Sequence, residues 1–188
     1  LRCHAAKEKD IVKIDLPKER AKDWKEAMLK KMAEVLDKYR SVRLYMDICV
    51  KCGACADKCQ FFLGTGDPKN MPVARADLFR KVYKRYFTLG GKIWNEGEEL
   101  TESVLQEWYT YFYQCSECRR CSMYCPYGID TAEITMAARE IMAAAGIATK
   151  YVTEVVAKVD DTGNNLGIWP AAWKDSCEFL EEDLKETE

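Results

Sequence analysis

Eight of the ten cysteines fall into two runs of one spacing, and thiols in this pattern can bind metal together. Each run reads C-x2-C-x2-C-x3-C. The first run contains Cys49, Cys52, Cys55 and Cys59, and the second contains Cys115, Cys118, Cys121 and Cys125. Thiols that recur every three residues are typical of a shared metal centre rather than of a disulfide framework. The spacing therefore predicts metal thiolates in a reducing compartment.

An iron–sulfur cubane suits this spacing, because each of its four irons takes one thiolate. Cysteines at i, i+3 and i+6 wrap three corners from one side, so the fourth corner needs a thiolate from elsewhere. In two-cluster ferredoxins the fourth cysteine of each run ligates the other cluster. This rule predicts two 4Fe–4S clusters in the chain. The first cluster would be bound by Cys49, Cys52, Cys55 and Cys125, and the second by Cys115, Cys118, Cys121 and Cys59.

A zinc-stabilised interaction module without redox function is the alternative for the same eight thiolates. Zinc ribbons usually pair two C-x2-C knuckles, whereas each run here has three cysteines in a row plus a fourth, so the spacing favours cubanes. Metal analysis separates the two hypotheses. No acid–base pair, activated nucleophile or open metal corner is evident in the sequence. The predicted chemistry is therefore one-electron relay, without a catalytic residue.

Basic residues lie beside the cysteines in both runs. They are Lys51, Lys58, Arg119 and Arg120. Positive charge and amide hydrogen bonds near an anionic cluster raise its reduction potential. A solvated face without a role in tuning the clusters is the alternative for each of these residues.

The elements that must position the cysteines are predicted to be helices, because strand-like alternation is nearly absent. The fold is predicted to be mainly α, with a helical ferredoxin domain over residues 45–147. An N-terminal helical arm is expected over 1–44, and a helix, a linker and an acidic tail over 148–188. The arm contains a long amphipathic helix, predicted from Lys18 to about Tyr45. Its apolar stripe is expected to pack on the domain, or less commonly on a partner.

Helix signals also flank the two runs. Pro72 suits the first turn of a helix that is expected to end at Gly90, and Thr101 is the predicted N-cap of the next helix. After the second run, Asp130 resembles the start of a capping box for a helix that ends before Gly146. Two helices thus separate the runs, a longer spacing than in small bacterial ferredoxins.

The overall composition argues against other function classes. The 188 residues are 48% hydrophobic and 32% charged, which is the balance of a globular protein. The net charge of -2, with acids and bases intermixed, carries no nucleic-acid signature. The longest weakly charged apolar run, residues 141–149, is much shorter than the roughly twenty residues that span a bilayer. Membrane association is therefore expected only through a partner subunit.

The sequence around the two runs resembles a known family. The strings "YMDICVKCGACADKCQFFLGTGDPKNMPVARADLFR" and "YQCSECRRCSMYCPYGIDTAEITMAAREI" are similar to the ferredoxin-type region of heterodisulfide-reductase-like iron–sulfur subunits. Within that family they look most like the K subunits, or DsrK group, of the DsrMKJOP membrane complexes. The resemblance runs from about Tyr45 to Gly167. It implies a helical ferredoxin domain with two 4Fe–4S clusters.

The resemblance also implies a place in dissimilatory sulfur metabolism. Electrons would pass between a haem b- and quinone-linked membrane subunit and a centre that reduces a disulfide of a DsrC-like sulfur-carrier protein. In the family this centre lies in Cys-Cys-Gly domains that bind a noncubane 4Fe–4S cluster. No Cys-Cys-Gly occurs in this sequence, so that cluster is expected after Glu188 or in a separate polypeptide. The implied location is the inner face of the cytoplasmic membrane, through partner subunits.

A further hypothesis keeps the clusters and changes the partner. Iron–sulfur subunits of flavin-dependent dehydrogenases, such as those for succinate, glycolate or glycerol phosphate, also relay electrons between protein-bound cofactors. Co-purification with a flavoprotein would favour this alternative. Co-purification with a haem-containing membrane subunit would favour the heterodisulfide-reductase-like hypothesis.

Overall fold

The structure of the protein, a computed structural model, describes residues 16–17, 20–165 and 171–187. Within these ranges the regular elements are helices and no strand occurs, so the prediction of a mainly α fold is confirmed. The described residues up to Ile147 form one compact unit, and those from Ala148 onwards form another. None of the helices in the described ranges combines the length and apolarity that crossing a membrane requires.

The first unit contains eight described α-helices. They are α1 (Trp24–Lys38), α2 (Arg40–Ile48), α3 (Gln60–Thr65), α4 (Pro72–Phe87), α5 (Leu89–Trp94), α6 (Glu102–Tyr113), α7 (Arg120–Met123) and α8 (Thr131–Ala144). Short 3-10 helices cover Ala56–Lys58 and Pro68–Asn70. The described part of the second unit contains α9 (Lys150–Thr162) and α10 (Ala171–Thr187).

The core of the first unit is built around α8, which packs against α1, α4 and α6. Its centre is aromatic. Trp108 of α6 stacks on Phe79 of α4 with ring centroids 5.3 Å apart, and it meets Phe112 edge-on at 5.2 Å. All three rings are fully buried. This core fixes α4 and α8 relative to each other, and each of these helices begins beside a cysteine run.

The predicted amphipathic helix of the arm is two helices in the structure. Tyr39, with φ -108° and ψ 82°, leaves the helical region, so α1 ends before it and α2 begins after it. Met28 and Met32 of α1 are buried in the core, as expected for a stripe that packs on the domain. Residues 18–19, at the start of the predicted helix, lie outside the described residues. The chain leaves α2 directly at Cys49, which is its C-cap.

The helix that begins at Pro72 ends earlier than predicted, and the two glycines expected to end it lie in the next helix. This helix, α4, ends at Phe87, and Gly90 and Gly91 lie inside the separate short helix α5. A Cβ atom at Gly91 would lie 1.9 Å from the carbonyl oxygen of Lys84. Gly91 therefore serves a close helix-to-helix approach rather than a helix end.

Both predicted N-caps are present. Thr101 Oγ1 accepts a hydrogen bond from the Val104 N–H at 3.3 Å, at the start of α6. Asp130 Oδ1 accepts from the Ala132 N–H at 2.9 Å and the Glu133 N–H at 3.4 Å, at the start of α8. The reciprocal half of a capping box is not formed in the described structure, because Glu133 accepts from the Ser41 hydroxyl instead.

Asp130 does more than cap α8, so its removal should cost more than removal of the Thr101 cap. Its Oδ1 also accepts from Ser122 Oγ at 2.7 Å, and its Oδ2 lies 3.3 Å from Arg119 Nε. Asp130→Ala is expected to lower the free energy of unfolding by about 2 kcal/mol, and Thr101→Ala by about 1 kcal/mol. Urea unfolding followed by circular dichroism measures both. Equal costs would contradict the additional role of Asp130.

Candidate metal centres

The first cysteine run lies on the loop between α2 and α3. Cys49 ends α2, and Cys59 is the N-cap of α3. Between them Lys51 and Gly53 adopt positive φ angles of 57° and 77°. A left-handed residue on either side of Cys52 lets the loop curl tightly, at a conformational cost where the residue is not glycine.

The second run repeats this backbone pattern. Glu117 and Arg119 have φ angles of 56° and 59°, and they flank Cys118 as the two left-handed residues of the first run flank Cys52. The amide of Glu117 donates to Cys115 Sγ at 3.4 Å, so the curled loop turns a backbone N–H towards a thiol. The repeat seen in the cysteine spacing therefore extends to the backbone conformation.

The structure brings the eight cysteines of the two runs around two cavities. The first cavity has a volume of about 420 Å³ with its solvent-open part, and its lining includes Cys49, Cys52, Cys55 and Cys125. The second cavity has a volume of about 370 Å³, also with its solvent-open part, and its lining includes Cys59, Cys115, Cys118 and Cys121. The second cavity thus has three cysteines from the second run and one from the first, whereas the first cavity has three from the first run and two from the second, because Cys121 lines it together with Cys125. The assignment of these cysteines as cluster ligands stays a prediction.

The two cavities are neighbours. Cys121 and Thr131 line both of them, so these residues form a shared wall. The first turn of α4 also lies at both, because Val73 lines the first cavity and Pro72 lines the second. The positive end of the α4 dipole is therefore placed next to both thiol sets, where it would stabilise anionic groups.

The donor sets are compatible with cubanes, because each cavity offers at least four thiol groups. In the described part of the chain, no three His, Cys, Asp or Glu side chains converge on one metal position. A cubane does not require such convergence, because each of its thiolates binds a different iron. When bound, such a cluster accepts and releases one electron at a time. The residues of the chain would hold it, limit its contact with water and tune its charge.

Both cavities are open to solvent at the second cysteine of a run. Cys52 and Cys118, the second cysteines of their runs, are exposed. Cys59 is the most buried of the eight, with 8% of its surface exposed. Gln60 and Phe61, which follow Cys59, line the second cavity. Each cavity thus has the second cysteine of one run at the protein surface.

Burial raises the pKa of two of the thiols in the metal-free protein. It raises the pKa of the Cys55 thiol to about 11, against the opposing effect of a hydrogen bond from the Val73 backbone amide. It also raises the pKa of Cys121, which hydrogen bonds from Thr131 and Ser122 partly offset. Because iron binds the thiolate, loading of a cluster must release these protons.

The raised pKa of Cys55 predicts slow alkylation in the folded, metal-free protein. Only the thiolate reacts, so iodoacetamide modification should rise steeply between about pH 8 and the thiol pKa of about 11. The folded state holds this proton more tightly than the unfolded chain. The associated stability is therefore present below about pH 9 and is lost as the pH rises to about 11. Peptide mapping after timed alkylation, with exposed Cys52 as internal control, measures the rate. Equal rates for the two thiols at pH 8 would contradict the effect of burial.

The predicted basic residues are mostly engaged by neighbours. Lys51 Nζ lies 2.7 Å from Asp77 of α4, and Lys58 Nζ lies 4.8 Å from the ring centroid of Tyr124. Lys51 lines the first cavity, and Lys58 and Arg119 line the second, whereas Arg120 lines neither. The effect of these residues on the reduction potentials stays a prediction.

Arg75 is the site residue that the sequence patterns do not single out. It is 1% exposed, it lines the second cavity, and its Nη1 donates to Cys59 Sγ at 3.6 Å. The helical periodicity of the sequence could have identified Arg75. Arg75 stands four residues before Phe79 and seven before Val82, both buried, so helical periodicity places a charged residue on the core face of α4.

Comparison with known proteins agrees with a cluster-binding region. Residues 45–129 match the family described as "4Fe-4S dicluster domain". This range begins within α2 and includes both cysteine runs. No solved structure matches the chain significantly.

Similar proteins occur in archaea. The chain is 50% identical over 182 residues to the "Hdr-like menaquinol oxidoreductase iron-sulfur subunit 2" of Archaeoglobus fulgidus, which covers 95% of this chain and 32% of that protein. It is 47% identical over 167 residues to the "Hdr-like menaquinol oxidoreductase iron-sulfur subunit" of Archaeoglobus profundus, covering 87% of this chain and 30% of that one. A more distant relative belongs to the dihydromethanophenazine:CoB–CoM heterodisulfide reductase of Methanosarcina barkeri. It is 29% identical over 103 residues, which are 54% of this chain and 25% of that protein.

The chain spans about a third of the length of the two Archaeoglobus proteins. The similarity covers both cysteine runs and nearly all of the chain in the first of them. The names of these relatives support a heterodisulfide-reductase-like iron–sulfur subunit and do not single out the DsrK group. The chain is thus similar to Hdr-like iron–sulfur subunits, and a 4Fe–4S dicluster domain is present in it at residues 45–129.

Proposed function

We propose that this chain is the electron-transfer part of an Hdr-like membrane oxidoreductase, and that it relays single electrons through two 4Fe–4S clusters. The first cluster would be held by Cys49, Cys52, Cys55 and Cys125, and the second by Cys115, Cys118, Cys121 and Cys59. No residue of the chain is assigned a catalytic role. The relay would connect a quinone- and haem-linked membrane subunit to a disulfide-reducing centre.

The observation that carries the proposal is the shared wall between the two cavities. The first cavity is lined by Cys49, Cys52, Cys55 and Cys125 together with Cys121, and the second is lined by Cys59, Cys115, Cys118 and Cys121. Two clusters placed in these cavities would be neighbours, as one-electron transfer between them requires. The names of the two Archaeoglobus relatives include menaquinol oxidoreductase activity, which supplies a class of electron donor for the proposal.

The finer parts of the proposal rest on the sequence resemblance to the DsrK group. They are a role in dissimilatory sulfur metabolism, a DsrC-like sulfur carrier as the protein whose disulfide is reduced, and a location on the inner face of the cytoplasmic membrane. A noncubane cluster in Cys-Cys-Gly domains, outside this chain, would be the site of disulfide reduction. This chain would then supply that site with electrons one at a time.

Electron transfer in the isolated native complex tests the proposal. Full-length protein would be purified anaerobically with its membrane partners, and menadiol, a soluble menaquinol analogue, would be added. Electron paramagnetic resonance spectra should then show reduction of the clusters, with a haem subunit present in the preparation. Clusters that menadiol leaves oxidised, in a preparation that contains a flavoprotein instead of haem, would favour a flavin-dependent dehydrogenase. Zinc in place of iron would overturn every form of the relay.

A further inference from the structure

We propose that Arg75 is a positioning residue whose buried charge compensates the second cluster and raises its reduction potential. This inference deepens the proposed function and rests on it, because it assigns a charged residue to one of the two predicted clusters. It is carried by the burial of Arg75, by its hydrogen-bond partners and by its place at the second cavity.

The guanidinium of Arg75 lacks the partner that a buried positive charge normally has. Among the described residues it forms no ion pair with a carboxylate, and its Nε has no hydrogen-bond partner. Its side-chain hydrogen bonds go to a neutral amide and a thiol, namely Asn70 Oδ1 at 2.7 Å and Cys59 Sγ at 3.6 Å. A buried charge without a counter-charge is strongly unfavourable, so an anion bound next to Arg75 would stabilise the protein.

Two other arginines of the first unit show the ordinary arrangement. Arg80, also on α4 and 4% exposed, lies 2.8 Å from Asp77 Oδ1. Arg139 of α8 lies 2.7 Å from Glu117 Oε1. Each has an acidic partner within the protein, whereas Arg75 faces a cavity lined by four cysteines. An anionic cluster in that cavity would be the missing counter-charge.

The connection between α3 and α4, residues 66–71, holds Arg75 in place. Asp67, which is buried, accepts from the Tyr111 hydroxyl at 2.8 Å and from the Lys69 N–H at 2.9 Å. The Asn70 N–H bonds back to the Asp67 carbonyl oxygen at 2.9 Å, and the Asn70 side chain binds Arg75. These hydrogen bonds therefore fix the guanidinium of Arg75 beside the thiol of Cys59.

The direction of the effect follows from charge. Reduction adds one negative charge to a cluster, and a nearby buried positive charge stabilises the reduced form more than the oxidised form. Arg75 therefore raises the potential of the second cluster. The first cluster is expected to feel it less, because the lining of the first cavity does not include Arg75.

Redox titration of the loaded full-length protein, followed by electron paramagnetic resonance, tests the proposal. The second cluster is identified beforehand as the one disturbed in Cys59→Ser. Arg75→Gln should change its ratio of reduced to oxidised form at least about tenfold at fixed potential, a fall in midpoint of about 59 mV for one electron. Arg75→Lys keeps the charge and should retain most of the potential. Arg80→Gln, which removes the other buried arginine of α4, is the matched control and should leave the second cluster unchanged.

A second variant covers the case in which Arg75→Gln does not fold. Asn70→Asp is nearly isosteric and adds a carboxylate beside the guanidinium, where it would neutralise Arg75 within the protein. It should lower the midpoint of the second cluster in the same direction as Arg75→Gln. An unchanged midpoint in the variant that folds, or equal shifts of both clusters, would overturn the role of Arg75. Iron analysis of the unsubstituted protein is done first, because absence of the clusters from that protein would refute the proposed function itself.

Discussion

Cys125→Ser is expected to disturb the cluster bound by the first cysteine run, although Cys125 belongs to the second. The reason is the grouping around the cavities, in which Cys125 lines the same cavity as Cys49, Cys52 and Cys55. Loss of this ligand should lower the iron content from about eight to about four per chain, or convert one cluster to an altered form. Iron analysis and electron paramagnetic resonance spectra of the anaerobically purified variant measure the change.

Cys59→Ser is the reciprocal variant and should disturb only the second cluster, because Cys59 lines the second cavity. Cys177→Ser is the control, since Cys177 lies on α10 in the second unit and belongs to neither cysteine run. It should retain both clusters. If Cys59→Ser and Cys125→Ser each alter the cluster of their own run instead, cross-ligation is wrong and each run binds one cluster alone.

Trp108→Ala is expected to cause the largest loss of stability in the core. Its ring is fully buried between Phe79 and Phe112, and the substitution would leave a cavity where α4, α6 and α8 meet. Truncation of a buried tryptophan typically costs about 3–5 kcal/mol of unfolding free energy. The midpoint of urea unfolding, followed by circular dichroism under anaerobic conditions, should fall accordingly.

Trp94→Ala is the matched control for this prediction. Trp94 is 77% exposed at the end of α5, so its removal should change the unfolding free energy by no more than about 0.5 kcal/mol. Similar midpoints for the two variants would show that the stacked aromatic residues do not dominate the core.

A second consequence of Trp108→Ala concerns the metal centres. Because α4 and α8 both begin beside a cysteine run, Trp108→Ala should also speed loss of iron to a chelator.

The candidate site could be predicted from the sequence because cysteine spacing is a local signal. The two sets of four cysteines follow from the repeat and from the rule that the fourth cysteine crosses over. The structure places these cysteines around two cavities, with Cys121 at both, and their role as cluster ligands stays a prediction. The N-caps Thr101 and Asp130 were equally accessible, since a cap depends on its own side chain and the next three residues.

Features that depend on tertiary contacts were not predictable in the same way. The helix breaks at Tyr39, although the apolar periodicity of the sequence continues through this position and no proline or glycine stands there. Gly91 is required by a carbonyl group seven residues earlier, on a neighbouring helix, and its place in a Gly-Gly pair suggested a helix end instead. The place of Arg75 at the second cavity depends on the fold, because the fold brings Cys59, the first turn of α4 and the second run together.

The central claim is that this chain holds two cubanes, and metal content tests it most directly. Protein purified anaerobically would be analysed for iron, acid-labile sulfide and zinc against the concentration from amino-acid analysis. Two 4Fe–4S clusters predict about eight irons and about eight sulfides per chain, with little zinc. About four irons per chain would contradict the two-cluster account. About two zinc ions without sulfide would contradict the assignment of the eight cysteines to iron–sulfur clusters altogether.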